Sequence, residues 1–206
     1  MRIKTKGENL FLRVSTGHFA TSHSHTNYYI DVTEQKMSLT EAEAVAEVLL
    51  HNYKNTVIDT ILCLDGMEVV GACLARILTR NDFMSVNANQ NIFVVTPEHT
   101  TGSQLLFRDN TAPMIQGKSV LVLAASVTTG FTAASAVEAI RYYGGRAVGI
   151  GAIFATLGGI NDIDIISVFN PNDLPDYESY EANDCPMCKA GERIDALVNS
   201  FGYSKL

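Results

Sequence analysis

Residues 119–132, SVLVLAASVTTGFT, decide how the chain is read. Val120 to Leu123 form an apolar, largely β-branched run of the kind that fills a buried strand. Ala124 and Ala125 follow, then a small hydroxyl-bearing loop, and a helical pattern begins at Phe131 and Thr132. A strand that runs through a glycine-bearing loop into a helix N-terminus leaves backbone N–H groups pointing outward, where the helix dipole favours an anion. The expected phosphate cradle is Ser126, Val127, Thr128, Thr129, Gly130, Phe131 and Thr132, with hydroxyls from the three threonines. An ordinary strand-to-helix turn capped by threonine has the same spelling, and neither GxxxxGK[ST] nor GxGxxG is present.

Outward from this stretch, strands and helices alternate. LFLRV (10–14) and YYIDV (28–32) read as strands around a polar loop, 17–27, that holds three of the five histidines. Ser38 and Glu41 have capping-box spacing ahead of apolar positions Ala42, Val45, Ala46, Leu49 and Leu50. VIDTILCL (57–64) predicts a buried strand, and Val70, Cys73, Leu74, Ile77 and Leu78 a helical stripe after it. NIFVV (91–95) leads into a long connection, 96–117, of a length that is usually functional. The helix after Gly130 stops at Gly144-Gly145, RAVGIGAIFA (146–155) and IDIISVF (163–169) add strands, and Ile194, Leu197, Val198 and Phe201 suggest a last short helix. This order predicts an α/β fold, a central mainly parallel sheet flanked by helices. Ligands on such sheets sit beyond the carboxyl ends of the strands, which selects the loops 65–68 and 124–132.

The totals narrow the function. A chain of 206 residues that is 47% hydrophobic has the apolar mass for one real core, and a formal charge of −7 argues against a nucleic-acid or anionic-membrane partner. The run Ala147–Leu157 is too short and glycine-rich to span a bilayer. The first ten residues lack a secretory apolar segment. Four cysteines are too few for a disulfide framework, so a reducing cytoplasm is expected.

The segment GKSVLVLAASVTTGFTAASAVEAIRYYGGRAVG resembles the ribose-phosphate-binding segment of type I phosphoribosyltransferases, the orotate phosphoribosyltransferase branch above all. SHSHTNYYIDV is similar to that branch's SGxxSxYYID stretch, and DGMEVVGACLA falls at its pyrophosphate loop, Asp65, Gly66, Met67 and Glu68. The resemblance covers roughly residues 18–155. It implies a five-stranded parallel sheet with a small N-terminal hood (about 1–35), a CPMC tail (about 176–206) outside the match, and one domain over 1–206. It also implies transfer of ribose 5-phosphate from phosphoribosyl diphosphate (PRPP) to a base, Mg²⁺, a homodimer, and the 5′-phosphate at Ser126–Thr132.

The departures are chemical. The acidic pair that grips the ribose hydroxyls falls on Ala124 and Ala125, which offer no acceptor. Glu68 stands where the branch commonly has a lysine, and a carboxylate there repels a diphosphate by a few kcal/mol at an effective dielectric of about 20. The mobile-loop position has Pro97, Glu98 and His99 instead of a basic cluster, and Arg108 is the only Lys or Arg between Arg80 and Lys118. Ala134 occupies the position of the arginine that faces the orotate carboxylate. Losing positioned cations and metal ligands together argues against ordinary orotate transfer.

Cys185 and Cys188 form a C-P-x-C knuckle, half a zinc site. A complete site needs a second copy across a dimer or imidazoles from His18, His23 or His25; a solvated polar loop is the simpler expectation for His18. Asp65 and Glu68 form a possible substitute acidic pair, although helix N-termini attract acids in any case. Three functions are therefore carried forward. One is an orotate phosphoribosyltransferase-like protein that binds a phosphorylated ribosyl ligand with transfer weak, altered or lost. The others are a non-catalytic nucleotide-sensing module and a metal-linked structural dimer.

Overall fold

The computed structural model describes residues 2–4, 10–22, 24–81, 85–100, 104–199 and 202–206, the first three by backbone only. In chain order the strands and helices are β1 (Arg2–Lys4), β2 (Phe11–Ala20), β3 (His25–Asp31), α1 (Thr33–Met37), α2 (Leu39–Tyr53), β4 (Thr60–Cys63) and α3 (Glu68–Leu78). There follow β5 (Phe93–Val95), β6 (Glu98–His99), β7 (Leu105–Leu106), β8 (Ser119–Val127), α4 (Phe131–Tyr142), β9 (Arg146–Ala155) and β10 (Gly159–Ile160). The chain closes with β11 (Ile163–Phe169), β12 (Ser179–Tyr180), α5 (Pro186–Lys189), β13 (Ala196–Asn199) and β14 (Gly202–Lys205).

The central sheet has the order β10-β11-β9-β8-β4-β5. All of its pairings are parallel except the short edge strand β10. Strand β8 is buried at every position but Ser126, as a middle strand covered on both faces must be. Its alternation assigns the two faces. Leu121, Leu123 and Ala125 join the core under α2 and α3, while Val120, Val122 and Ala124 pack with Ala133, Ala136, Val137 and Ile140 of α4. Strand residues alternate sides, so a single apolar run builds both layers.

The second sheet is the hood, ordered β12-β3-β2-β13-β14 with β1 on β2. Three expectations are corrected here. The polar segment 17–27 is mostly strand: β2 runs to Ala20, β3 starts at His25, and Thr21 and Ser24 close the turn through a 2.8 Å backbone bond and hydroxyl bonds. His18 is consequently buried, not solvated. The tail helix is the hairpin β13–β14: Ile194, Leu197 and Val198 have helical spacing (Phe201 lies outside the described residues), but β13 pairs in parallel with β2, Ala196 against Phe19. The capping box at Ser38 does not form. Ser38 donates its N–H to Glu34 at the end of α1, and the α1–α2 corner fixes its backbone.

Helix α3 lies close on β4 because position 71 has no side chain. A Cβ on Gly71 would stand 2.5 Å from Cys63 Sγ and 3.2 Å from Val94 Cγ1, both in a packed layer with little room to shift. Gly71→Ala is expected to cost roughly 1–3 kcal/mol, read as a lower urea midpoint at unchanged slope. Unchanged stability would mean that the helix rides free of the sheet.

Candidate functional site

Beyond the carboxyl ends of β4 and β8 a cleft of about 300 Å³ opens between the sheet and the hood. Its floor is Ala124 to Ala133, which includes every residue of the expected phosphate loop, and Asp65 borders it. Its roof comes from Thr21, Ser22, Thr26 and Tyr28 of the hood, and from Val198 and Asn199 of the tail. At one end Tyr177 contacts Phe154 and Tyr28, with ring centroids 5.4 and 6.2 Å away. Gly66, Met67 and Glu68 do not line the cleft: Met67 is fully buried, and Glu68 accepts a 3.1 Å hydrogen bond from Thr96.

The loop proper is shorter than the sequence suggests, since β8 extends through Val127. Gly130 is the N-cap residue of α4, at φ 77°, and no side chain caps the helix. The threonine-capped turn is therefore not what forms. A glycine cap in the left-handed region supplies no side-chain acceptor of its own to the first turn. A Cβ on Gly130 would meet Ile160 Cδ1 at 2.6 Å, so the position is constrained in space as well as in φ. Immediately after β9, Thr156 donates its N–H to Val127 O (2.9 Å) and its hydroxyl to Thr128 O (2.7 Å). These bonds fix the carbonyls of the loop on the side toward Thr156.

Asp65 borders the cleft together with Ala124 and Ala125. It sits at φ 55° and accepts a hydrogen bond from the Ala125 N–H. Burial raises its pKa, opposed by Lys36, His99 and that N–H. Lys36 on α1 is buried and donates to Asp65 O at 2.8 Å. Burial lowers its pKa, against the pull of Asp65, Glu68 and Asp31. No sequence signal singles Lys36 out; it reaches the 65–68 loop only because α1 folds back beside α3. Arg108 makes a bidentate pair with Glu98, both bonds 2.7 Å, which lowers the Glu98 pKa. Ala134 follows the first turn of α4 and donates its N–H to Gly130 O.

A second group of functional side chains lies in the hood. Cys185 and Cys188 come together with His18 and His25, all four ligand atoms within 4.8 Å of one another, a donor set suited to a metal ion. His23 lies outside the described residues.

No protein-family model matches the chain. Similar proteins do. The orotate phosphoribosyltransferase of Sulfurimonas denitrificans is 29% identical over 192 residues, 85% of this chain and 87% of that protein. That of Desulforamulus reducens is 23% identical over 184 residues, 85% of each chain. Among solved structures, Mycobacterium tuberculosis orotate phosphoribosyltransferase in complex with inorganic phosphate superposes with a TM-score of 0.54 at 19% identity, covering 78% of this chain and 90% of that one. The Aeropyrum pernix enzyme gives 0.54 at 17% identity over 77% and 88%. The fold is that of the type I phosphoribosyltransferases. Within that class the chain is orotate phosphoribosyltransferase-like.

Asp65 has a checkable pH signature. A carboxyl with a raised pKa keeps its proton in the folded protein after the unfolded chain has released it. Its contribution to stability therefore falls as pH rises from the ordinary value of about 4 through the folded value. Asp65→Asn is expected to gain stability relative to the parent across that window, seen as a widening Tm difference between pH 4 and 7. A difference that does not change with pH would rule out the raised titration.

Proposed function

We propose that the cleft binds a phosphorylated ribosyl ligand, PRPP or a nucleotide, with its 5′-phosphate on the Thr128–Thr132 turn, and that transfer to a base is weak, altered or lost. The observation that carries this reading is the contrast within one floor. The neutral cradle is intact in form, while Ala124 and Ala125, two residues before it, present no acceptor to a ribose. One solved relative, the Mycobacterium tuberculosis enzyme, is described both in complex with inorganic phosphate and in complex with PRPP, which supports a phosphate group at the equivalent end. The aromatic end of the cleft, Tyr28 and Tyr177, suits the planar base of a nucleotide.

Within this reading the chain's own residues divide the work. First-turn N–H groups of α4 and the threonine hydroxyls hold the phosphate; Thr156 keeps the loop from opening. Among the described residues, Asp65, held by Ala125 N–H and accompanied by Lys36, is the one carboxylate that lines the cleft, and accepts from a ribose hydroxyl. Magnesium fits poorly here: the positions that would supply its oxygen ligands are alanines, and Asp65 is already engaged with an N–H and with Lys36. When bound, the ion supplies charge neutralisation of a diphosphate, and no step of this proposal depends on it. Zinc belongs with the cysteine–histidine cluster instead of the cleft. A second reading, a nucleotide-sensing module without turnover, is favoured by the Glu98–Arg108 pair, which neutralises the arginine of the long connection. A cytoplasmic homodimer of a single domain spanning 1–206 completes the proposal; exposed Met37 and Leu39, 72% and 62% accessible, are apolar surface for such an interface. Among the described residues no helix is long and apolar enough to cross a membrane.

A thermal-shift series with PRPP, ribose 5-phosphate and nucleoside monophosphates tests the reading. At a hundred times Kd a ligand adds about 2.7 kcal/mol, a rise of about 5–10 °C for a chain of this size. Gly130→Ala is expected to abolish that rise. No shift with any of the three ligand types refutes binding. Turnover of PRPP and orotate at ordinary enzymatic rates, about 1–1000 s⁻¹, refutes the weakened transfer.

A further inference from the structure

The geometry points to a zinc site that no part of the phosphoribosyltransferase reading requires: we propose that His18, His25, Cys185 and Cys188 bind one Zn²⁺ as a closed, structural Cys₂His₂ centre that clamps the C-terminal tail to the hood. His18 lies on β2 and His25 opens β3, so the hairpin brings both imidazoles to one place. Cys185 and Cys188 bracket the first turn of α5 and bring two sulfurs to the same place. His18 Nε2 stands 3.0 Å from His25 Nδ1, 3.5 Å from Cys185 Sγ and 3.6 Å from Cys188 Sγ; Cys188 Sγ is 3.3 Å from His25 Nδ1.

These four separations match four of the six edges of a coordination tetrahedron, and the other two lie within 4.8 Å. With Zn–N near 2.05 Å and Zn–S near 2.3 Å, tetrahedral angles place nitrogen about 3.3 Å from nitrogen and about 3.6 Å from sulfur. Hydrogen bonding alone does not account for the convergence. One imidazole nitrogen has a single proton or a single lone pair, yet His18 Nε2 faces three heteroatoms. The other ring nitrogen fixes which it has: His18 Nδ1 lies 3.2 Å from Glu192 O, a carbonyl that only accepts, so Nδ1 holds the proton and Nε2 presents its lone pair. Cys185, His18 and His25 are buried and both cysteines are free thiols. Two thiolates and two neutral imidazoles around Zn²⁺ sum to zero charge, which removes the penalty for an uncompensated buried ion. With four protein ligands no coordination position is left for substrate, the mark of a structural centre.

The backbone beside the cluster is built to match. His18 donates its N–H to the Asp195 carboxylate and accepts from the Asp195 N–H, both at 2.8 Å. A Cβ on Gly17 would lie 2.6 Å from that carboxylate, so a side chain at residue 17 would displace it from its bond to the His18 N–H. Beyond Asp195 the tail becomes β13, and before Cys185 it is β12 on β3.

The full chain is loaded with zinc chloride, desalted, and assayed for metal. About one equivalent per chain is expected, together with intense tetrahedral absorption and a sulfur-to-metal charge-transfer band in the Co²⁺-substituted protein. Cys188→Ser, at the exposed ligand, is expected to lose more than nine-tenths of the zinc, whereas His51→Ala, an exposed histidine elsewhere, keeps it. Chelation of the parent is expected to speed protease cleavage within 181–195. Less than a tenth of an equivalent in the parent, a six-coordinate Co²⁺ spectrum, zinc retained by Cys188→Ser, or a cleavage rate indifferent to chelator each overturns the proposal. The Co²⁺ spectrum of the parent keeps the test decisive if a variant does not fold.

Discussion

The parallel pairing of β8 with β4 on one side and β9 on the other holds the site in place. The ladders set Leu62 against Val122 and Leu123 against Gly151, so the carboxyl ends of the strands open at the same edge. That alignment brings the Asp65 turn within reach of the Ala125 N–H and places Thr156 beside the Thr128 carbonyl. Val120 to Leu123 are fully buried, at about 1.5–3 kcal/mol for each such side chain relative to exposure. A one-residue slip would exchange the two faces of β8 and set its residues against the wrong helices. The register is therefore fixed by the core, and the loop inherits its position from the register.

What the edge then offers is a site low in charge. The cradle is made of amides and hydroxyls, which need no counter-charge and survive burial. The ionic groups nearby are already matched: Lys36 with the Asp65 carbonyl and with the acids around it, Arg108 with Glu98, Glu68 with a threonine hydroxyl. A matched charge can orient a neighbour, but it has little field left for a developing oxyanion or a leaving diphosphate. Under the proposed function such a floor favours binding over turnover, because amide dipoles grip ground state and transition state alike, and uniform binding does not raise a rate.

The central sheet was legible because its strands are apolar runs separated by helical periods and glycine stops, and β8 through Gly130 could be placed almost residue by residue. The hood was not. Its strands are polar on one face and end in a four-residue turn, so the histidine-rich segment 17–27 has the composition of a loop. The tail misled for a different reason: Ile194, Leu197 and Val198 satisfy a helical spacing, but residues 196–199 pair as a strand with β14 and with β2, the latter far away in sequence. Lys36 carried no signal, since a lone lysine between a predicted strand and the start of a predicted helix reads as solvent-facing. The half-knuckle at Cys185 and Cys188 was visible, but its two imidazoles depend on a hairpin that local composition conceals.

The hood also has a physical problem that the central sheet lacks. Its outer core is small, Phe19, Tyr29 and Ala196 with Val198 packed against them, whereas the central sheet is sandwiched between two extended clusters. A few apolar side chains barely offset the entropy of ordering the segment they hold, which is why small units acquire cross-links. The tail spans the hood sheet from β12 to β14, and Val198 and Asn199 of β13 form part of the cleft roof. An ordering device placed between β12 and β13 acts on the roof from both ends, while the floor is set independently by β8. In this architecture floor and roof thus rest on different chemistry: hydrophobic burial for the half proposed to hold phosphate, and polar, metal-suited side chains for the half that covers it.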